Sequence, residues 1–366
     1  MREEGRISGW QLCMLVMGFL IGTSTLIIPV GPARQDAWIA FLLAGGLGVG
    51  LAYLYTSLGK RFPGETPLEY SLRVLGRWGG TILNVLFIWY AFHLASLVLL
   101  NIAELYTMVV MITTPLIVFI GVMAGLAALA ARAGLETIAR LAELLTPFIV
   151  LTMLTLNILC LATPNLVRWE NLLPIMAEGP IPVVRGMFDT LAFPFGETVF
   201  FLVLLPFVVD PGRTRRPFCL AVILVSLLLS SVLVRNITVL GAAESNRTIF
   251  PSLAAVRLIN IGDVLQRMDS LIIFIWTFAG FLKLSIVYYI FVLGTAQLFK
   301  LKDVRPLTLP VWLLLTFFTP HVYENVQEML VFAGRVWPFY FLPLYLFHPA
   351  LLLLVAKIRG VKGRGA

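Results

Sequence analysis

The sequence predicts an all-α polytopic membrane protein: ten transmembrane helices in a five-plus-five inverted repeat, with helices 1 and 6 discontinuous. Three observations carry this. Of 366 residues, 60% are hydrophobic and only 13% charged, about half the usual charged share of a soluble domain. The apolar runs persist for about 20 residues, enough for a helix to cross a bilayer, and lack the alternation of a transmembrane strand. Finally, the first and sixth runs are both interrupted by helix-breaking residues. They stand five apart, as expected of two corresponding halves with a binding site at the midplane.

The spans fall at 8–30, 37–59, 81–110, 113–131, 138–162, 183–209, 217–241, 269–298, 307–321 and 336–356. They divide into repeats of about 8–162 and 183–356 within one domain. The first opens on Ser8 and Gln11, a helix-start pair in which each side chain reaches the other's backbone. The run Ile7 to Val30 is longer than a signal core and lacks an A-x-A site, so it is expected to remain as a span. "AGGLGVG" (44–50) and "GVMAG" (121–125) carry the small-residue spacing that brings helices close together. The ninth run is short. The segment 242–268 mixes apolar and charged residues and predicts a short helix lying over the outer face.

The formal net charge is +8, but the basic residues lie between apolar runs and form no nucleic-acid patch. With the amino terminus in the cytoplasm, eighteen Lys and Arg fall inside, from Arg2 and Arg6 to Lys362 and Arg364. Eight fall outside: Arg34, Arg168, Arg185, Arg235, Arg247, Arg257, Arg267 and Arg335. That asymmetry places both termini in the cytoplasm. Cys13, Cys160 and Cys219 lie in or beside apolar runs and imply no disulfide framework.

The sixth span reads "FPFGETVFFL" from Phe193 to Leu202. Pro194 has no N–H and displaces Phe193 from helical angles; Gly196 tolerates a break. Glu197 brings a carboxylate to the middle of the span, at a cost of about 2.5–3.5 kcal/mol on insertion scales. Together they predict a discontinuous helix lining a cavity. The first span has its own soft stretch, Gly22, Thr23, Ser24 and Thr25, followed by Pro29. In span 3, Asn101 and Glu104 lie roughly 80° and 20° round the helix from His93, so the three share a face. In span 8, Asp269, Trp276 and Lys283 are spaced by seven. Lys283 is about 20 Å from that end, too deep to reach a surface easily, so it needs an acidic or carbonyl partner.

No H-E-x-x-H, G-x-S-x-G or P-loop occurs, which predicts a protein that is not an enzyme and uses no metal or cofactor. The expected ligand-binding set is Gly22, Thr23, Ser24, Thr25, His93, Asn101, Glu104, Thr190, Phe193, Pro194, Phe195, Gly196, Glu197 and Trp276. A zwitterion would use both kinds of broken end: its ammonium meets the carbonyls of Thr190 and Phe193, or Glu197, and its carboxylate meets the turn at Gly22 to Thr25.

Taken together, "ISGWQ…GFLIGTSTLIIP", "PFGE" and "IFPSLAAVRLINIGDVLQRMDSLIIFIWTFAGFLKLSIVYY" (249–289) resemble the B-subunit family of bacterial endospore germinant receptors. These are the AB-type germination permeases, part of the amino acid–polyamine–organocation transporter superfamily. The resemblance covers nearly the whole chain. It implies a fold of the LeuT type, residence in the spore inner membrane, an A-type membrane subunit and a C-type lipoprotein as partners, and recognition of a small nutrient, often an amino acid. In some proton-coupled relatives a lysine on span 5 replaces a sodium ion between spans 1 and 8. Span 5 here has Glu143, Thr146, Pro147, Thr152, Thr155 and Asn157 but no lysine, so Lys283 is the candidate cation surrogate. A working proton-coupled amino-acid symporter is the alternative function.

Overall fold

The computed structural model describes residues 5–26, 30–262, 265–266 and 268–363. Pro29, Arg2, Arg267 and Arg364 lie outside the described residues. Among the described residues, eight helices are long and apolar enough to cross a membrane. The count of ten is not reached on that measure, because two of the expected spans are short. Helix α1 (Gly9–Ile21) stops at Gly22, and α11 (Arg305–Phe318, the ninth expected span) has 14 residues. Here α2 is Ala37–Arg61, α3 Pro67–Leu105, α4 Leu116–Ala133 and α5 Leu135–Ala162; α6 (Pro180–Thr190) begins the sixth span. Helix α7 is Arg215–Leu240 and α10 Asp269–Leu298.

Ser8 caps α1 as expected: its N–H donates to Gln11 Oε1 at 2.9 Å, and Gln11 N–H donates to Ser8 Oγ at 3.1 Å. From Leu12 to Ile21 helix α1 is apolar all round and buried all round, the pattern of a central helix. It packs on α5, α7 and α10. Thr146 Oγ1 of α5 donates to the Met14 carbonyl at 3.1 Å, and Gln11 Nε2 donates to Glu143 Oε2 at 3.1 Å. The expected start of span 3 at 81 moves to Pro67, where Thr66 and Glu69 form a second capping box. The helix turns sharply at Gly76, whose φ of 78° suits glycine.

Within a bilayer, helices associate through close contact and hydrogen bonds more than through exclusion of water. The glycine-rich stretch of α2 serves that contact. A Cβ on Gly48 would lie 2.9 Å from the Phe195 ring, and one on Gly45 would lie 2.2 Å from Ser226 Oγ. The described residues of the segment 242–268 form two short helices, α8 (Ala242–Arg247) and α9 (Pro251–Arg257), followed by a two-residue antiparallel ladder of β1 (Asn260–Ile261) and β2 (Leu265–Gln266). The tenth span starts at Val326, ten residues before its expected limit. It runs through α12 (Val326–Val331), α13 (Trp337–Leu342) and α14 (His348–Ile358), joined by wider turns at Phe332–Val336 and Pro343–Phe347.

Candidate functional site

Helix α1 unwinds at Gly22 because its polar groups turn back on the helix. Ser24 Oγ donates to the Leu20 carbonyl at 2.6 Å, Ser24 N–H to the Ile21 carbonyl at 3.0 Å, and Leu26 N–H to the Thr23 carbonyl at 3.1 Å. Gly22 must be small: a Cβ there would lie 2.6 Å from Lys283 Cδ. Its missing side chain is the channel through which the lysine stem passes.

Span 6 breaks where Pro194 removes a donor. After α6, Leu191–Phe195 forms one wide turn in which Phe193 takes φ −132° and ψ 115°, and Gly196–Val203 continues as a tighter helical segment. Gly196 lies under Tyr345, whose ring would be 2.8 Å from an added Cβ. Tyr55 Oη donates to the Tyr345 carbonyl at 2.7 Å and approaches the Gly196 carbonyl at 3.5 Å. These contacts tie the break to α2 and to the tenth span.

The two interruptions meet α10 at Lys283. Its Nζ lies 2.5 Å from Glu197 Oε2 and 3.2 Å from Thr23 Oγ1. The two charged side chains are 0% and 1% exposed. Nζ also stands over the rings of Phe193 and Phe19, at 4.7 and 5.1 Å from their centroids. The deep lysine therefore has its acidic partner, on span 6, and one hydroxyl on span 1. A single ammonium group joins three spans.

Beside this pair lies a cleft of about 450 Å3, open solvent at its mouth included, lined by Thr23, Asn101, Phe193, Glu197, Tyr323, Phe332 and Trp337 with apolar side chains of α3 and α12. Four of these residues hold a buried polar atom without a hydrogen-bond partner: Asn101 Oδ1, Glu197 Oε1, Tyr323 Oη and Trp337 Nε1. Buried polar atoms are nearly always satisfied, so each orphan calls for an explanation. Two are acceptors and two can donate. Burial, then Tyr340 and Glu328, pushes the Tyr323 phenol above its ordinary range, which keeps it a neutral donor.

The other expected site residues fall around the cleft without lining it. Ser24, Thr25, Thr190, Pro194, Phe195 and Gly196 are buried in the two interruptions. Thr25 Oγ1 and Thr190 Oγ1 also lack partners. His93 shares a face with Asn101 but turns to an aromatic group, with Nδ1 3.1 Å from Tyr340 Oη and the Trp89, Phe332 and Trp337 rings within 6.1 Å. Glu104 Oε2 is buried and unpartnered one turn further on. Trp276 packs on Phe250 at 5.5 Å, away from the cleft. Asp269 pairs with Arg257 at 3.1 Å.

The reading of the sequence missed Tyr323 and Phe332 because it treated the chain before 336 as a loop, and it passed over Trp337 at the start of the tenth span. A signal was present. Asn325 precedes Glu328 by three, and its Oδ1 accepts the Glu328 N–H at 2.9 Å, an N-cap that marks a helix start at Val326.

Backbone pairing ties the start of span 1 to the end of span 6: Ile7 N–H donates to the Phe207 carbonyl at 3.0 Å, and Val209 N–H to the Ile7 carbonyl at 2.9 Å. A second, polar cavity adjoins the cleft through Ala333.

Comparison with known proteins places this arrangement in context. A family model described as spore germination protein matches residues 6–329. Spore germination protein KB of Bacillus subtilis (strain 168) is 31% identical, over 99% of this chain and 98% of its own length. Spore germination protein YndE of the same strain is 27% identical over 97% of each. Among solved structures, Mhp1, a nucleobase-cation-symport-1 family transporter in a closed conformation with bromovinylhydantoin bound, superposes with a TM-score of 0.73. Its identity is 14%, covering 98% of this chain and 81% of its own. MhsT in complex with L-phenylalanine gives 0.66 at 10% identity, covering 98% and 99%. At such identities the likeness shows the fold, the LeuT-type transporter fold.

Proposed function

The chain belongs to the spore germination protein family, and from that membership we propose that it is the nutrient-binding, transporter-like subunit of a spore germinant receptor. The ligand is a small nutrient, an amino acid, held in the cleft between the interrupted spans 1 and 6, α3 and the start of the tenth span. One observation carries this reading: two unpartnered acceptors and two unpartnered donors converge on one aromatic cleft. A zwitterion offers donors at its ammonium and acceptors at its carboxylate, so it satisfies both kinds. The aromatic walls add favourable contact for an ammonium group. Binding shifts the balance between conformations of the fold, and A-type and C-type partner subunits read that shift in the spore inner membrane, with both termini of this chain in the cytoplasm.

Asn101→Ala is the test. Asn101 Oδ1 has no partner to lose, so the variant folds and reaches the membrane at wild-type level, checked by blot. The nutrient dose–response for germination shifts by tenfold or more, equivalent to about 1.4 kcal/mol of binding. An unshifted curve at equal protein level removes the cleft from nutrient recognition.

A second reading, a proton-coupled amino-acid symporter, is favoured by the lysine–glutamate pair standing beside the unwound turn of span 1, in the manner of a built-in cation. Concentrative uptake of labelled amino acid by purified protein in liposomes supports it; binding without uptake supports the receptor.

A further inference from the structure

The polar cavity that meets the cleft at Ala333 is the larger of the two, about 1550 Å3 with its open mouth. Thr25 and Asn236 line it, as do residues 245–249 and Arg335. Three of its described lining residues are charged: Asp189, Arg247 and Arg335. Among the described residues, none of the three makes an ion pair or a side-chain hydrogen bond.

A fourth charge stands behind the wall. Arg235, on α7, is 6% exposed. Its Nε and Nη2 donate to Asn236 Oδ1 at 3.2 and 2.9 Å, and its Nη1 donates to Asn157 Oδ1 at 3.2 Å. These are amide oxygens. They solvate the guanidinium but leave its charge intact, and no carboxylate among the described residues pairs with it. Asn236, held by Arg235, lines the cavity and donates through Nδ2 to Ser252 Oγ at 3.1 Å, and Ser252 lines it too. Near a protein surface a charge acts roughly fourfold more strongly than in water, and a concave wall of one sign focuses the field on what enters. Among the described residues, three guanidinium groups against one carboxylate leave the cavity electropositive.

We propose that this cavity is a docking site for the carboxylate of a small solute, with Arg247 and Arg335 as its direct ligands. Arg235 biases the cavity toward anions through Asn236. Arginine suits the task because its planar fork matches a carboxylate with two parallel hydrogen bonds. Asp189 supplies an acceptor for an ammonium on the same solute and disfavours anions of higher charge. The site is distinct from the cleft and stands whatever the cleft binds.

The probe is propionate, a carboxylate without an ammonium. Its binding to purified protein in nanodiscs of zwitterionic lipid is followed by saturation-transfer NMR. Wild type binds it saturably. Arg247→Gln combined with Arg335→Gln weakens binding tenfold or more; both side chains are exposed, so the variant folds. Asn101→Ala, in the cleft, leaves propionate binding within about twofold, which separates this site from the nutrient reading. Three results overturn the proposal: no saturable binding to wild type, equal binding by the double variant, or loss of binding in Asn101→Ala. Chloride titration decides between anion sources. Chloride that binds while propionate does not makes this an inorganic-anion site and overturns the carboxylate assignment.

Discussion

The Lys283–Glu197 pair gives the most exacting prediction. The two charges are 2.5 Å apart, through Glu197 Oε2, and at most 1% exposed, and Glu197 Oε1 accepts no hydrogen bond. In Lys283→Met the methionine fills most of the stem's volume, but Glu197 is left buried with neither of its oxygens hydrogen-bonded. Removing one partner of a buried pair costs about 3–5 kcal/mol, because the other charge stays desolvated. The lost contact with Thr23 adds about 1 kcal/mol. Adding Glu197→Gln removes the stranded charge, so the double variant recovers at least 2 kcal/mol relative to the sum of the singles, about thirtyfold in the folded-to-unfolded ratio. Unfolding by SDS in mixed micelles, run as a double-mutant cycle, measures this coupling. Losses that add to within about 0.5 kcal/mol would show that the two groups do not interact and would refute the pairing. The functional arm is separate: if Lys283→Met folds and germinates with wild-type sodium and pH dependence, Lys283 is not a structural cation.

Gly22→Ala drives a Cβ to 2.6 Å from Lys283 Cδ; overpacking of this kind costs about 1–3 kcal/mol, read in the same SDS titration, and an unchanged midpoint would mean the lysine stem runs elsewhere. Arg257→Cys and Asn260→Cys are expected to label with an impermeant thiol reagent from the outer face; labelling from the cytoplasmic face alone would invert the topology.

The pair also changes what a single substitution at Glu197 reports. On the sequence alone, Glu197→Gln is a test of ligand binding, since glutamine keeps the shape and an acceptor. In the folded protein it also strands Lys283, so a weakened response no longer distinguishes binding from stability. Asn101, with no partner to lose, is the better probe.

The sequence alone determined the fold class, most of the helix boundaries and the location of the two interruptions. These depend on neighbours in the chain. Apolar length sets a span, Ser8 and Gln11 cap a helix within one turn, and Pro194 deprives its own helix of a donor wherever it sits. The depth of Lys283 and its need for an acidic partner were legible for the same reason, since rise per residue is a local quantity. The identity of that partner was not. Glu197 and Lys283 are 86 residues apart, and only the packing of span 6 against α10, through the gap left at Gly22, brings their atoms to 2.5 Å. The same holds for the cleft. Helical periodicity put His93, Asn101 and Glu104 on one face, yet Asn101 alone of the three lines the cleft, because the tenth span begins ten residues early and sets Phe332 and Trp337 opposite it. A face is a property of one helix, whereas a cavity is what several helices fail to fill, and that is decided only when side chains distant in sequence compete for the same space.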